Sequence, residues 1–251
     1  MLFIDLSVAL EPVAGEPVPV ELEFVDHRSG AEILGGPIGI GPEEFPDGLG
    51  LSLEYVRLTS HSGTHLDAPA HYGPFCAGLR APTIDELPLE QFFAPGVVLD
   101  CKGTVADGPV DTPEIERALA AIEYTLRPGD IVLINSGAAA RWNTPEYFTD
   151  FRGVTAPATE WLIDRGSKVI GVDSFGFDPP FEVMLRNFSR SRDPAELWPA
   201  HVLGRRRPYC QIERLCNLDA IPRKHGFRVA CFPLKLARCG AAPSRVVAIL
   251  D

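Results

Sequence analysis

Apolar residues in this chain recur at three spacings, and each spacing predicts a different element. Alternation at every second position marks strands with one buried face. It runs through residues 1–9, where Ile4 and Leu6 interleave with Asp5 and Ser7, and again through residues 18–25. It returns in residues 51–58 around Leu53, Tyr55, Val56 and Leu58. Unbroken apolar runs mark strands covered on both faces. Residues 96–101 and 131–135 read this way, the second leaving the turn Pro128-Gly129-Asp130. Helical spacing links Ile115, Leu119 and Ile122, with Thr112 placed to cap and Pro113 at the first helical position. A second helix, carrying Trp161 and Leu162, opens at Thr155 and closes at Arg165-Gly166. A strand over residues 168–173 follows, and residues 227–236 and 245–250 supply two more. Strands interleaved with helices predict an α/β core. No repeat and no long linker divides the chain, so residues 1–251 read as a single domain.

Composition narrows the partners. A hydrophobic content of 45% supports a substantial core, and a net charge of −11 argues against nucleic acid or an anionic membrane surface. An anionic small molecule stays open, because a site can be locally positive in an acidic protein. The six cysteines, Cys76, Cys101, Cys210, Cys216, Cys231 and Cys239, show no Cys-x-x-Cys spacing. They read as free thiols in a reducing compartment. The first residues lack the basic leader and apolar stretch of a signal peptide. No apolar run approaches the roughly twenty residues that span a bilayer. The expectation is a soluble, cytoplasmic protein acting on a small molecule.

Candidate chemistry concentrates in residues 61–71, His-Ser-Gly-Thr-His-Leu-Asp-Ala-Pro-Ala-His, which hold three of the six histidines. His61, His65, Asp67 and His71 all stand at odd positions, so an extended backbone points them to one side. A strand end is expected to carry His61, His65 and Asp67 on one face. Pro69 ends the ladder and His71 returns over them from the turn. A lone histidine is usually structural or exposed, but this set in phase points to a cation. Imidazole with carboxylate suits Zn²⁺, Mn²⁺ or Fe²⁺ better than the all-oxygen shells of Ca²⁺ and Mg²⁺.

The pattern His-x-Gly-Thr-His-x-Asp-x-Pro-x-His resembles the signature of the cyclase family, which includes bacterial kynurenine formamidase and isatin hydrolase. The likeness extends from Ile4-Asp5-Leu6-Ser7 to Asn217-Leu218. It implies an α/β fold of the swivelling β/β/α type, one compact domain with a mixed β core. It also implies a histidine and a glutamate twelve residues apart, which His201 and Glu213 match. By resemblance, His61, His65 and Asp67 hold a first metal. Asp67 and Glu213 reach a second that His201 completes, giving one or two Zn²⁺ or Mn²⁺ per chain. His71 takes the place of the general acid/base. Homodimers or homotetramers are implied as well. Two departures stand out: Glu213 is followed by Arg214-Leu215 where the family has Asn-Leu, and no tryptophan precedes Trp142.

The implied activity is metal-dependent hydrolysis of the amide, formamide or lactam bond of a small aromatic or cyclic compound. The alternative is a metal-dependent cyclase or lyase that works on a ketone of secondary metabolism. Residues 175–200, with Phe177-Asp178-Pro179-Pro180 and several arginines, are longer than in compact family members and read as a lid or a surface insertion. Arg205-Arg206-Arg207 reads as a solvated charge run, with a substrate carboxylate as the other possibility.

Overall fold

In the computed structural model, which describes residues 1–251, the two unbroken apolar runs pair side by side at the centre of a nine-stranded sheet. In chain order the early strands are β1 (Leu2–Asp5), β2 (Glu21–Val25), β3 (Leu53–Arg57), β4 (His65–Asp67), β5 (Phe75–Cys76) and β6 (Leu79–Arg80). Then come β7 (Phe93–Asp100), β8 (Ile131–Asn135), β9 (Val169–Val172) and β10 (Cys210–Glu213). The chain closes with β11 (Phe227–Ala230), β12 (Ala241–Pro243) and β13 (Val247–Leu250). The helices are α1 (His27–Gly35), α2 (Pro69–Tyr72), α3 (Thr112–Ala121), α4 (Ala156–Asp164), α5 (Phe181–Ser191) and α6 (Pro199–Leu203).

The large sheet runs β1-β13-β11-β7-β8-β9-β10-β4-β12. β7 to β10 are parallel and every other pair is antiparallel, so the β core is mixed as expected. β7 and β8 are buried on both faces over residues 96–99 and 131–134, which is why they read as continuous apolar runs. Val97, Leu99, Val132 and Ile134 face α3 and α4 through Ile115, Leu119, Ala158 and Leu162. Val98, Ile131 and Leu133 face a second core with Leu6, Leu66, Phe92 and Val246.

Several boundaries differ from the sequence reading. Asp111, one residue earlier than expected, caps α3 by accepting the Glu114 N–H at 2.9 Å. Ile122 ends that helix half-buried. The strand expected over 227–236 stops at Ala230, and Pro233 beyond it has no N–H to extend a ladder. Residues 175–200 are not a polar loop. Phe181, Met184, Leu185 and Phe188 recur at helical spacing and form one face of α5, with α6 close behind. His61 is not on a strand: the chain turns at Thr59–Ser62, where the Ser62 N–H bonds to the Thr59 carbonyl at 3.1 Å. β2 and β3 form their own two-stranded sheet, with Phe24, Leu53, Tyr55 and Val56 exposed. No helix is long and apolar enough to cross a membrane, and all six cysteines are free.

Candidate metal centre

Two neighbouring strands supply the floor of the site. β4 pairs antiparallel with β10 so that His65 stands opposite Glu213 and Asp67 opposite Gln211. The alternation of the strand sends Leu66 into the core and both His65 and Asp67 to the other face, where they are fully buried. Pro69 then opens α2 directly after the strand, and that single turn lifts His71 over the pair. His61 reaches in from the preceding turn. The positive φ of Gly63 (60°) lets the chain reverse between them.

His201 arrives from α6, whose short length leaves it dependent on a side chain for capping. Asp178 provides this: its Oδ1 accepts the Ala200 N–H at 2.7 Å and its Oδ2 accepts the His201 N–H at 3.1 Å. The same Oδ2 lies 2.6 Å from His201 Nδ1, which fixes the ring and turns Nε2 inward. His65 is fixed the same way, by Nδ1 against the Gly63 carbonyl at 2.9 Å. Glu213 Oε1 accepts the Phe177 N–H at 2.8 Å.

The free ends of these side chains converge. Asp67 Oδ1 is 3.3 Å from His61 Nε2 and 3.6 Å from His65 Nε2. Asp67 Oδ2 is 3.8 Å from His201 Nε2 and 4.0 Å from His71 Nε2. Glu213 lies 3.4 Å from His65 Nε2 and 3.9 Å from His201 Nε2. His71 Nδ1 is 3.1 Å from His61 Nε2, and the side chain of His71 is one-third exposed.

A divalent cation fits these donors. His65 Nε2 and both Asp67 oxygens are buried without any hydrogen-bond partner, and such atoms are costly unless something else satisfies them. Burial pushes the Asp67 carboxyl up, but the surrounding histidines outweigh it and hold the group well below the usual carboxylate range. Burial likewise opposes charge on His201, yet Asp178, Glu213 and Asp67 raise its pKa to about 9. Two buried carboxylates held anionic draw protons onto His65 and His201, against the burial that opposes charge there, and a cation would displace those protons. The groups fall into two overlapping sets that share Asp67: His61, Asp67 and His71, and His65, Asp67 and Glu213.

All of the residues expected from sequence thus meet in one place. Asp178 was missed, since nothing local connects it to a histidine 23 residues on. Tyr72 and Tyr209, stacked at 5.4 Å beneath His201, were missed too. The arginine run is not in the site: Arg205 donates to the Tyr72 carbonyl, Arg206 is exposed, and Arg207 pairs with Glu160 and Asp164. Beside the centre lies a cavity of about 230 Å³, walled by Phe148, Phe175, Phe181 and Trp198 and bordered by His61 and His201.

A sheet that curls around a buried His–carboxylate centre able to hold a metal ion defines a class of α/β protein, and the comparisons make that class specific. The family model described as "Putative cyclase" matches residues 4–179, and the chain belongs to this cyclase family. It is 32% identical to a kynurenine formamidase of Bordetella petrii over 200 residues, 78% of this chain and 80% of that protein. It is 29% identical to an isatin hydrolase of Roseibium aggregatum over 224 residues, 81% of this chain and 77% of the relative. The fold matches the solved isatin hydrolase A from Ralstonia solanacearum with a TM-score of 0.74 at 23% identity, covering 100% of this chain and 92% of the other.

Proposed function

We propose that this chain is a metal-dependent hydrolase that cuts the amide, formamide or lactam C–N bond of a small aromatic or cyclic compound. The observation that carries the reading is the set of buried, unpartnered donor atoms on His65 and Asp67, facing His61, His201 and Glu213 beside an aromatic cavity. The names of the relatives, kynurenine formamidase and isatin hydrolase, support the same bond type. Zn²⁺ or Mn²⁺ is the cation that this mixed nitrogen and oxygen donor set suits best.

His61, His65 and Asp67 would hold one cation, and Asp67, Glu213 and His201 would complete a second position. When bound, the metal supplies Lewis acidity toward a water and a carbonyl oxygen. The chain's own groups supply positioning and proton movement. Asp178 and the Gly63 carbonyl keep Nε2 of His201 and His65 free as electron-pair donors. The cavity is smaller than the about 300–1,000 Å³ of drug-sized sites, which favours a molecule of one or two rings. Its aromatic walls stack such a ring and exclude water from the scissile bond. His71, partly exposed beside Asp67, would take a proton from the attacking water at Nε2 and return it to the leaving nitrogen. α5, carrying Phe181 above the cavity, serves as the outer wall. The apolar side chains that β2 and β3 expose on both faces of their sheet support a homo-oligomer, checked by light scattering on the eluted peak.

The test joins metal content with turnover on protein purified without chelators, beside His71→Ala. Wild type is expected to hold one or two transition-metal ions per chain and to hydrolyse N-formyl aryl amides or an isatin-type lactam. The variant should keep the metal and lose turnover. Metal without cleavage of any amide or lactam would pass the lead to the cyclase or lyase reading. Absence of metal binding under any condition would remove the basis of both.

A further inference from the structure

Arg214 is the only arginine or lysine that lines the cavity beside the metal centre, and its surroundings leave it unsatisfied. Its side chain is 5% exposed, yet it makes a single hydrogen bond, from Nη1 to Glu16 Oε2 at 2.8 Å. Nε is buried with no acceptor at all. A guanidinium carries five N–H donors in a rigid fork, and burying most of them unmet is unfavourable unless an acceptor reaches them from the cavity. Neither of the other charged neighbours can serve. Glu213 is engaged by the Phe177 N–H and His65, and Asp178 is engaged by α6.

The position is built rather than incidental. Arg214 has φ +62°, a left-handed conformation unfavourable for a residue with a side chain. It is held there by its N–H on the Ser174 carbonyl and by the Thr64 hydroxyl on its own carbonyl. The guanidinium carbon sits 4.5 Å over the Phe175 ring, which fixes the plane of the fork. Glu16 arrives from the opposite end of the sequence. Gly15, at φ +83°, brings it in against Pro145 and Phe148, where an added Cβ would meet Pro145 Cα at 3.1 Å.

We propose that Arg214 is a specificity-determining residue that recognises a carboxylate on an aromatic substrate, with Glu16 as the internal carboxylate that holds the guanidinium in place before the substrate arrives. This inference rests on the hydrolase reading for the word substrate. A planar fork beside a phenyl ring matches a carboxylate attached to, or close to, an aromatic ring. The incoming carboxylate takes the unpaired N–H donors and competes with Glu16 for Nη1. Arg214 therefore sets which ring compounds enter, while the metal ligands and His71 act on the bond to be cut.

The test compares N-formylanthranilate with formanilide, a matched pair with and without the carboxylate, in wild type, Arg214→Met, Arg214→Lys and Glu16→Gln. Wild type should prefer the anionic member in KM. Arg214→Met should collapse that preference by about ten- to a hundredfold, the loss of a charge-assisted hydrogen-bonded pair. Arg214→Lys, which keeps the charge but loses the fork, should fall between them. Glu16→Gln should strengthen the preference severalfold by removing the competitor. If Arg214→Met raises KM for both compounds by the same factor, the proposal is overturned. Should that variant not fold by circular dichroism, the lysine and Glu16 variants carry the same test. If wild type cleaves neither compound, the hydrolase reading fails on its own. Calorimetric binding of anthranilate against aniline to the metal-loaded protein then decides for Arg214: a preference that Arg214→Lys weakens supports it, and no preference overturns it.

Discussion

Replacing Asp178 by asparagine separates the orientation of the proposed metal ligand His201 from the ligand itself. The carboxylate accepts three hydrogen bonds, from Ala200 N–H to Oδ1 and from His201 N–H and Nδ1 to Oδ2. An asparagine has one acceptor oxygen and one donor nitrogen. If the nitrogen takes the Oδ2 position it faces two donors, and if it takes the Oδ1 position it faces the Ala200 N–H. One clash of donors is unavoidable, and at least one buried N–H is left unsatisfied, costing about 1–3 kcal/mol. For a chain of this length that corresponds to a fall in Tm of roughly 2–12 °C for the metal-free protein. The negative charge that fixes the His201 tautomer is also lost, so metal affinity should drop about 10- to 100-fold, or about 1.4–2.7 kcal/mol. Competition against a chromophoric chelator measures the affinity, and a thermal melt of the chelated protein measures the stability. Asp173→Asn is the control. That carboxylate is also buried and accepts bonds from Ser136 N–H and Oγ–H and from Ala139 N–H, but it touches no candidate ligand. It should lose stability and keep metal affinity. A folded Asp178→Asn protein with unchanged affinity would refute the assignment of His201 as an oriented ligand.

Further predictions concern packing, charge and pH. Gly204→Ala places a Cβ 2.1 Å from Tyr72 Cδ2, against a ring wedged between His201 and Tyr209, and should destabilise by about 1–3 kcal/mol in chemical denaturation. Arg152→Ala strips the buried, two-pronged partner of Glu114 that ties α3 to the segment leading into α4; a loss of about 3–5 kcal/mol is expected by urea titration. Burial pushes the Cys101 thiol up to about 12, and Cys210 and Cys231 higher still, so these three should resist a thiol-titrating reagent at pH 8 until the protein is unfolded. In the chelated protein, the pKa of His201, opposed by burial but raised by Asp178 to about 9, lies above its unfolded value. Its contribution is therefore complete below about pH 6.5 and is lost as pH rises through 9. Tm of the chelated form should decline from pH 7 to 9.5. The metal-loaded form should lack that decline, and a parallel decline in both forms would count against the exchange of protons for the cation.

The sequence spoke most clearly where a single physical demand acted on a segment. Residues 96–99 of β7 and 131–134 of β8, like all of β9, are covered on both faces, so these stretches carry no polar side chain. The helices α3 and α4 each present one stripe to the sheet. His61, His65, Asp67 and His71 were legible as a cluster because four groups able to bind a cation or carry a proton lie within eleven residues. β10 was not legible as a strand, because Gln211 and Glu213 point inward and are buried, which inverts the usual relation of polarity to exposure. β4 is three residues long, and β12 ends on a proline. α5 was hidden by asparagine, serine and arginine on its outer side. Asp178 and Glu16 act through partners that only the tertiary fold brings near, so no local pattern could reveal them.

The place of β10 between β9 and β4 bears on how the protein is made. A nascent chain that has emerged only as far as residue 209 has β7, β8 and β9 in hand, and also β4, but lacks the strand that joins them. Both flanking edges are then open, and His65 and Asp67 have no Glu213 opposite them. Pairing across such sequence distances is slow, because the closure of a long loop must precede any gain from the contacts. On the reading proposed above, loading of metal would thus be deferred to the end of synthesis: a ribosome-bound intermediate offers scattered imidazoles with little hold on a cation, and the full set of donors exists only once β10 has filled the gap between β9 and β4.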